Sequence, residues 1–139
     1  MSKSYIGADL RAEVIDRANG RCEYCHIPKL LSSTNFHIDH IISEKQEGPT
    51  ESQNLAWACA ICNLNKGPNI SARFYDEGIL VPLFNPRSDV WADHFGIDTA
   101  GKFLPLTLVG KGTIKVLRLN LIERIEERKI LIAVGIDML

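Results

Sequence analysis

Apolar residues recur at helical intervals near the start of the chain. In DLRAEVIDRANG, Leu10, Val14 and Ile15 fall on one face, which predicts a short helix with Asp9 as its cap and Gly20 as its stop. NFHIDHIIS, Asn35 to Ser43, is rich in β-branched residues and predicts a strand, followed by the polar loop EKQEGPTESQ. LAWACAICNLNKG, Leu55 to Gly67, predicts a short extended piece that gives way to a helix stopping at Gly67-Pro68. Beyond Ile70 the character changes. ILVPLF and FLPLTLV predict two short strands, which their prolines confine to sheet edges. From Thr113 to about Val134, Ile114, Leu117, Leu121, Ile125 and Ile132 keep helical spacing, so one long helix or two abutting ones close the chain. The pattern is α+β, without internal repeats, and a soft boundary near Ser71 divides an expected core (1–70) from a mixed, mainly helical extension (71–139).

With 139 residues, the chain suits one domain, or a small domain plus an extension packed on it. No stretch of about 18 apolar residues is present, so no membrane span is expected. The first residues, MSKSYIGADLRAEV, have no apolar signal region, and a cytoplasmic location is expected. A net charge of −1 neither indicates nor excludes a polyanionic partner. The charge is uneven, however. Between Gly101 and Leu121 stand Lys102, Lys111, Lys115 and Arg118 with no acidic residue, a basic stripe that reads either as a solvated helix face or as a row of phosphate contacts.

All four cysteines fall into two C-x-x-C pairs, Cys22/Cys25 and Cys59/Cys62. The first pair, with His26, also spells the C-x-x-C-H of haem attachment, but haem would leave Cys59 and Cys62 unexplained and belongs to exported proteins. Two knuckles that each give two thiolates make a tetrahedral, closed zinc site, and a closed site is structural. Any chemistry is then expected within the insert between the knuckles or just after it. There stand His37, Asp39, His40, Asn54, Asn63 and Lys66.

Read together, FHIDHIIS, ESQNLAWAC and AICNLNKG resemble the HNH endonucleases from about Arg17 to Lys66. Their ββα-metal motif has the form D-H-I, then N-L, then C-x-x-C-[HN]-x-x-K, and many members carry both cysteine knuckles. The resemblance implies a small ββα-metal core clamped by zinc and a metal-dependent DNA endonuclease with 5′-phosphate and 3′-hydroxyl products. His40 is then the general base for water, since an imidazole exchanges a proton near neutrality. Asp39 and Asn63 offer oxygen ligands to a hard divalent ion, Mg²⁺ or Mn²⁺. Asn63 stands where the family name has histidine; an amide oxygen there turns preference away from Zn²⁺ or Ni²⁺. Asn54 matches the middle letter and is expected to hold the loop against the strand; by itself it also reads as a turn or cap asparagine. Lys66 is expected to reach a phosphate, although a lysine also simply favours a helix C-terminus. His37 shares a face with Asp39 by strand alternation, and either aids metal or phosphate binding or only packs.

NPRSDVWADHFG resembles the C-terminal extension of some small bacterial members of that family. Arg87 with Trp91, His94 and Phe95 could meet a nucleic-acid backbone, while aromatics at this spacing also read as core. Double-stranded DNA is the expected partner. A single motif supplies one active centre, so cutting both strands would need a homodimer or two visits. Two rivals remain: a zinc-knuckle DNA-binding module without catalysis, and a purely structural zinc domain.

Overall fold

The computed structural model describes residues 4–139. Met1 to Lys3, the start of the expected core, lie outside the described residues. The fold is α+β, with short helices and three two-stranded antiparallel sheets among the described residues. Backbone contacts divide the chain into two compact units. One comprises the residues up to Ile70 together with Asn85–Arg87, the other Ser71–Phe84 together with Ser88–Leu139.

In the first unit, helix α1 spans Ala8–Arg17. Its N-cap is Gly7, and Asp9 sits inside the first turn, where a carboxylate meets the positive end of the helix dipole. The helix therefore begins earlier than an Asp9 cap would have it. Val14 is buried, and Arg17 reaches over to donate to Ser52 Oγ at 2.8 Å and to the Leu55 carbonyl at 2.9 Å. The first knuckle follows, closed by an antiparallel bridge between Arg21 and Pro28, with His26 in the left-handed region at φ 65°. In the haem spelling His26 would be a metal ligand; here its backbone makes the turn that ends the knuckle.

Strand β1, Phe36–His40, pairs with β2, Leu55–Cys59, in the register Phe36 to Cys59 through His40 to Leu55. All five residues of β2 are buried, so this strand is the centre of the unit. Helix α2, Ala60–Lys66, begins where β2 ends: Cys59 is its N-cap, and the Cys59 Sγ accepts the Cys62 N–H. Gly67, at φ 51°, ends it. Strand, strand and helix in this order form the ββα unit. Arg87 returns to this unit as an ion-pair partner of Glu23, whose carboxylate also accepts the Trp57 N–H at 3.0 Å.

In the second unit, β3 (Ser71–Phe74) and β4 (Ile79–Pro82) form a hairpin, α3 spans Trp91–His94, and β5 (Phe95–Ile97) pairs with β6 (Phe103–Pro105). The expected strand FLPLTLV stops at Pro105, because Thr107 caps a helix by accepting the Gly110 N–H. That helix, α4, spans Leu108–Leu117; α5 spans Ile122–Ala133, and Arg118 at φ 52° separates them. Trp91, Phe95 and Phe103 pack as one aromatic cluster, with ring centroids 4.8 to 6.3 Å apart. All three are buried, so at Trp91 and Phe95 the core reading of NPRSDVWADHF holds.

Candidate metal centre and adjoining cavity

The two knuckles bring Cys22, Cys25, Cys59 and Cys62 together, their sulfur atoms all within 4.8 Å of one another and all four residues buried. The Cys25 and Cys59 sulfurs are 3.8 Å apart. Thiolates at about 2.3 Å from a tetrahedral metal would stand about 3.8 Å from each other, so this edge fits such an ion. The two knuckles repeat one device: the Cys25 N–H points at the Cys22 Sγ, and the Cys62 N–H at the Cys59 Sγ, each at 3.4 Å. Burial pushes the Cys22 and Cys62 thiols well above their ordinary range, so without a cation thiolate is disfavoured at those two positions. The four cysteines are thus positioned to bind a metal ion, as their spacing predicts.

Beside this centre, Asp39, His40 and Asn63 line one cavity of about 360 Å³, together with Ile38, Ser43, Glu44, Lys45, Gly67 and Pro68. Asp39 and His40 come from the end of β1 and Asn63 from the first turn of α2. The sheet-to-helix junction at Cys59 is what aims them at the same space.

Asp39 is 5% exposed. Its Oδ2 accepts the Tyr24 hydroxyl at 2.7 Å and lies 3.1 Å from the Lys66 ammonium, which is 3.3 Å from Oδ1. Burial raises the Asp39 carboxyl above its usual value, against the pull of the Lys66 charge and the Tyr24 hydrogen bond. The Tyr24 hydroxyl is pushed up too, by burial first and by the Asp39 charge second. Tyr24 sits between the two cysteines of the first knuckle, so the metal centre and Asp39 share a support.

Lys66 is 1% exposed and also donates to the His40 carbonyl at 2.9 Å. An ammonium enclosed by those two acceptors braces the end of β1. The structure therefore places Lys66 inside the protein, away from the phosphate contact expected of it, because the turn of helix that carries it faces the strand. Among the described residues lining the cavity, Lys45 is the one lysine or arginine, and it is exposed. Nothing in the spacing singled it out.

Asn54 stands behind the cavity as a clamp. Its Oδ1 accepts the Ile42 N–H, and its Nδ2 donates to the carbonyls of Ile42 and Pro49, each at 2.9 Å. Its own carbonyl accepts the Ile41 N–H at 2.8 Å. This sets the loop after His40 against the start of β2. His37 is exposed and outside the cavity lining. Alternation gives it the face of Asp39, but Tyr24 and Lys66 cover that face only at the Asp39 end. His40 is 11% exposed, with Nε2 2.8 Å from the Thr50 Oγ1 and 3.7 Å from the Glu44 Oε1. Glu44 and Thr50 lie in the polar stretch EKQEGPTESQ, where composition signals only a loop.

The donors fit a hard cation. One carboxylate residue and one amide residue line a cavity of about 360 Å³, a donor set of the kind that suits an ion keeping part of its hydration shell.

Residues 22–69 match the family model described as HNH endonuclease, a span within which all four cysteines and the expected site residues fall. The chain is also similar to Septu protein PtuB of Bacillus thuringiensis, 27% identical over 129 residues that cover 88% of this chain and 46% of that protein. The chain thus spans about half the length of the curated relative it matches. No helix among the described residues is long and apolar enough to cross a membrane.

Proposed function

From the HNH endonuclease domain that residues 22–69 carry, we propose that this protein is a metal-dependent DNA endonuclease whose active centre is the cavity between β1 and α2. One observation carries the reading: a base and two hard oxygen donors, His40, Asp39 and Asn63, border the same space. Zinc at the four cysteines is structural, since a site closed by four thiolates keeps no open position.

Asp39 and Asn63 would hold one Mg²⁺ or Mn²⁺. When bound, the ion supplies charge stabilisation at the phosphoryl oxygens and the leaving oxygen. The protein's own residues do the rest. His40 removes a proton from water as the water attacks phosphorus in line with the departing 3′ oxygen, so the P–O3′ bond breaks and the products carry a 5′-phosphate and a 3′-hydroxyl. Lys66 acts as a positioning group, holding Asp39 and the His40 carbonyl at fixed places. The phosphate contact first assigned to Lys66 passes to Lys45 on the cavity wall. Asn54 maintains the loop that shapes the wall behind His40.

The rival reading, a zinc-knuckle DNA-binding module without catalysis, has the engagement of Asp39 by Lys66 and Tyr24 in its favour. Supercoiled plasmid separates the two. Wild type nicks it with Mg²⁺ or Mn²⁺ and stops in EDTA, whereas His40→Ala and Asn63→Ala lose roughly 100-fold or more in rate, the usual cost of removing a positioned general base or a metal ligand. If both variants nick as fast as wild type, this active centre is wrong; if wild type binds without nicking, the module reading stands.

A further inference from the structure

A positioned base needs more than proximity: one ring nitrogen must carry the proton so that the other keeps a lone pair. Backbone atoms commonly decide this, but at His40 the neighbours of Nε2 are two side chains of the 41–54 loop. Thr50 Oγ1 lies at 2.8 Å and Glu44 Oε1 at 3.7 Å. Thr50 Oγ1 in turn donates to Glu44 Oε1 at 3.5 Å, and the same carboxylate oxygen accepts the Ser4 N–H at 3.1 Å.

The direction of these contacts follows from donor and acceptor inventory. An ionised carboxylate only accepts. Both Thr50 contacts are made at once only if the Thr50 proton goes to Glu44, which leaves Thr50 with lone pairs to offer the imidazole. In that arrangement the 2.8 Å contact to His40 takes its proton from Nε2. Nδ1 is then the nitrogen with the free lone pair.

We propose that Thr50 and Glu44 are a positioning relay that holds His40 in the Nε2–H tautomer and makes Nδ1 the atom that accepts the proton of the attacking water. Once Nδ1 is protonated the ring is cationic, and the Glu44 carboxylate 3.7 Å from Nε2 stabilises it without taking the proton. The logic is that of any nucleophile and base pair oriented by a third group, with a threonine hydroxyl inserted between carboxylate and imidazole. The inference rests on His40 being the base. Its geometric part, the tautomer and the Thr50 contact, can be read without turnover.

The test uses the full chain loaded with zinc, with the histidine rings labelled with ¹⁵N, and compares wild type, Thr50→Val, Thr50→Ser and Glu44→Gln. Valine is nearly isosteric but accepts nothing; serine restores the hydroxyl. In wild type and Thr50→Ser, the His40 ring shows the Nε2–H tautomer with an exchange-protected Nε2–H proton. In Thr50→Val that protected signal disappears. On plasmid with Mg²⁺, kcat falls roughly 10- to 100-fold in Thr50→Val with KM little changed, as expected for a misoriented base. Thr50→Ser recovers most of the rate. Glu44→Gln keeps an acceptor oxygen but lacks the charge, and falls between the two.

A Thr50→Val protein that keeps both the protected Nε2–H signal and the wild-type kcat overturns the relay. So does a wild-type ring found in the Nδ1–H tautomer. A wild-type protein that cuts no substrate sinks the nuclease reading instead, and the ring signals still decide whether Thr50 holds His40.

Discussion

At Asn54 one side chain closes three hydrogen bonds to the loop that follows β1, and every partner is a backbone group. Removing the amide leaves the Ile42 N–H without its acceptor and the Ile42 and Pro49 carbonyls without that donor. Asn54→Ala should lower stability by about 1–3 kcal/mol, the cost of leaving buried polar groups unsatisfied, measured as a shift of the urea midpoint at constant slope. An unchanged midpoint would mean that water replaces the clamp. Gly48 depends on the same packing: a Cβ there would lie 1.8 Å from the Ile42 oxygen, so no side chain fits without moving the loop. Residue types at this scale were legible, since D-H, N and C-x-x-C-N-x-x-K stand out in the chain. Their partners were not. Lys66 three residues after Asn63 reads as a lysine at a helix end, and only the fold shows it enclosed by Asp39 and the His40 carbonyl.

At the scale of elements, the metal centre is where β2, α2 and the first knuckle meet. Cys59 ends β2, caps α2 and offers a sulfur to the cluster. Binding energy at such a site is folding energy. The purified protein should carry one zinc per chain by elemental analysis. A strong chelator, or Cys59→Ser, should lower the thermal midpoint markedly and expose the first unit to protease. A chelated protein with an unchanged midpoint and protease pattern would refute a structural metal here. In the second unit the helical period was legible from Thr113 onward, but the start of α4 was not. Gly110 and Gly112 argue locally against a helix. Tertiary contact explains them: a Cβ on Gly110 would come within 2.1 Å of the His94 oxygen, and one on Gly112 within 2.7 Å of the Ala72 Cβ. These glycines let α4 lie close against α3 and β3. The break at Arg118 likewise needed a left-handed residue that the apolar period does not mark.

For the whole molecule, net charge is nearly zero, so any attraction for a polyanion must come from local clustering. Lys102, Lys111, Lys115 and Arg118 are all exposed, and the Lys111 and Lys115 ammonium groups lie over the Phe74 ring at 5.2 and 5.4 Å. Contacts from such a stripe to phosphates would position a duplex without reading its sequence. If the stripe meets DNA, Lys111→Ala and Lys115→Ala should each weaken binding about equally across duplex sequences and reduce the salt slope by about 1, with zinc content unchanged. Equal slopes for the variants and wild type would make the stripe a solvated face. Sequence alone was sufficient for the α+β class, the four cysteines positioned to bind a metal ion and the family resemblance, because each rests on short-range spacing that a linear pattern carries directly. Tertiary structure alone decided that Lys66 is enclosed, that His37 stays outside, and that Thr50 and Glu44 meet His40. Those outcomes depend on which faces are covered when distant segments pack, and no local period encodes that.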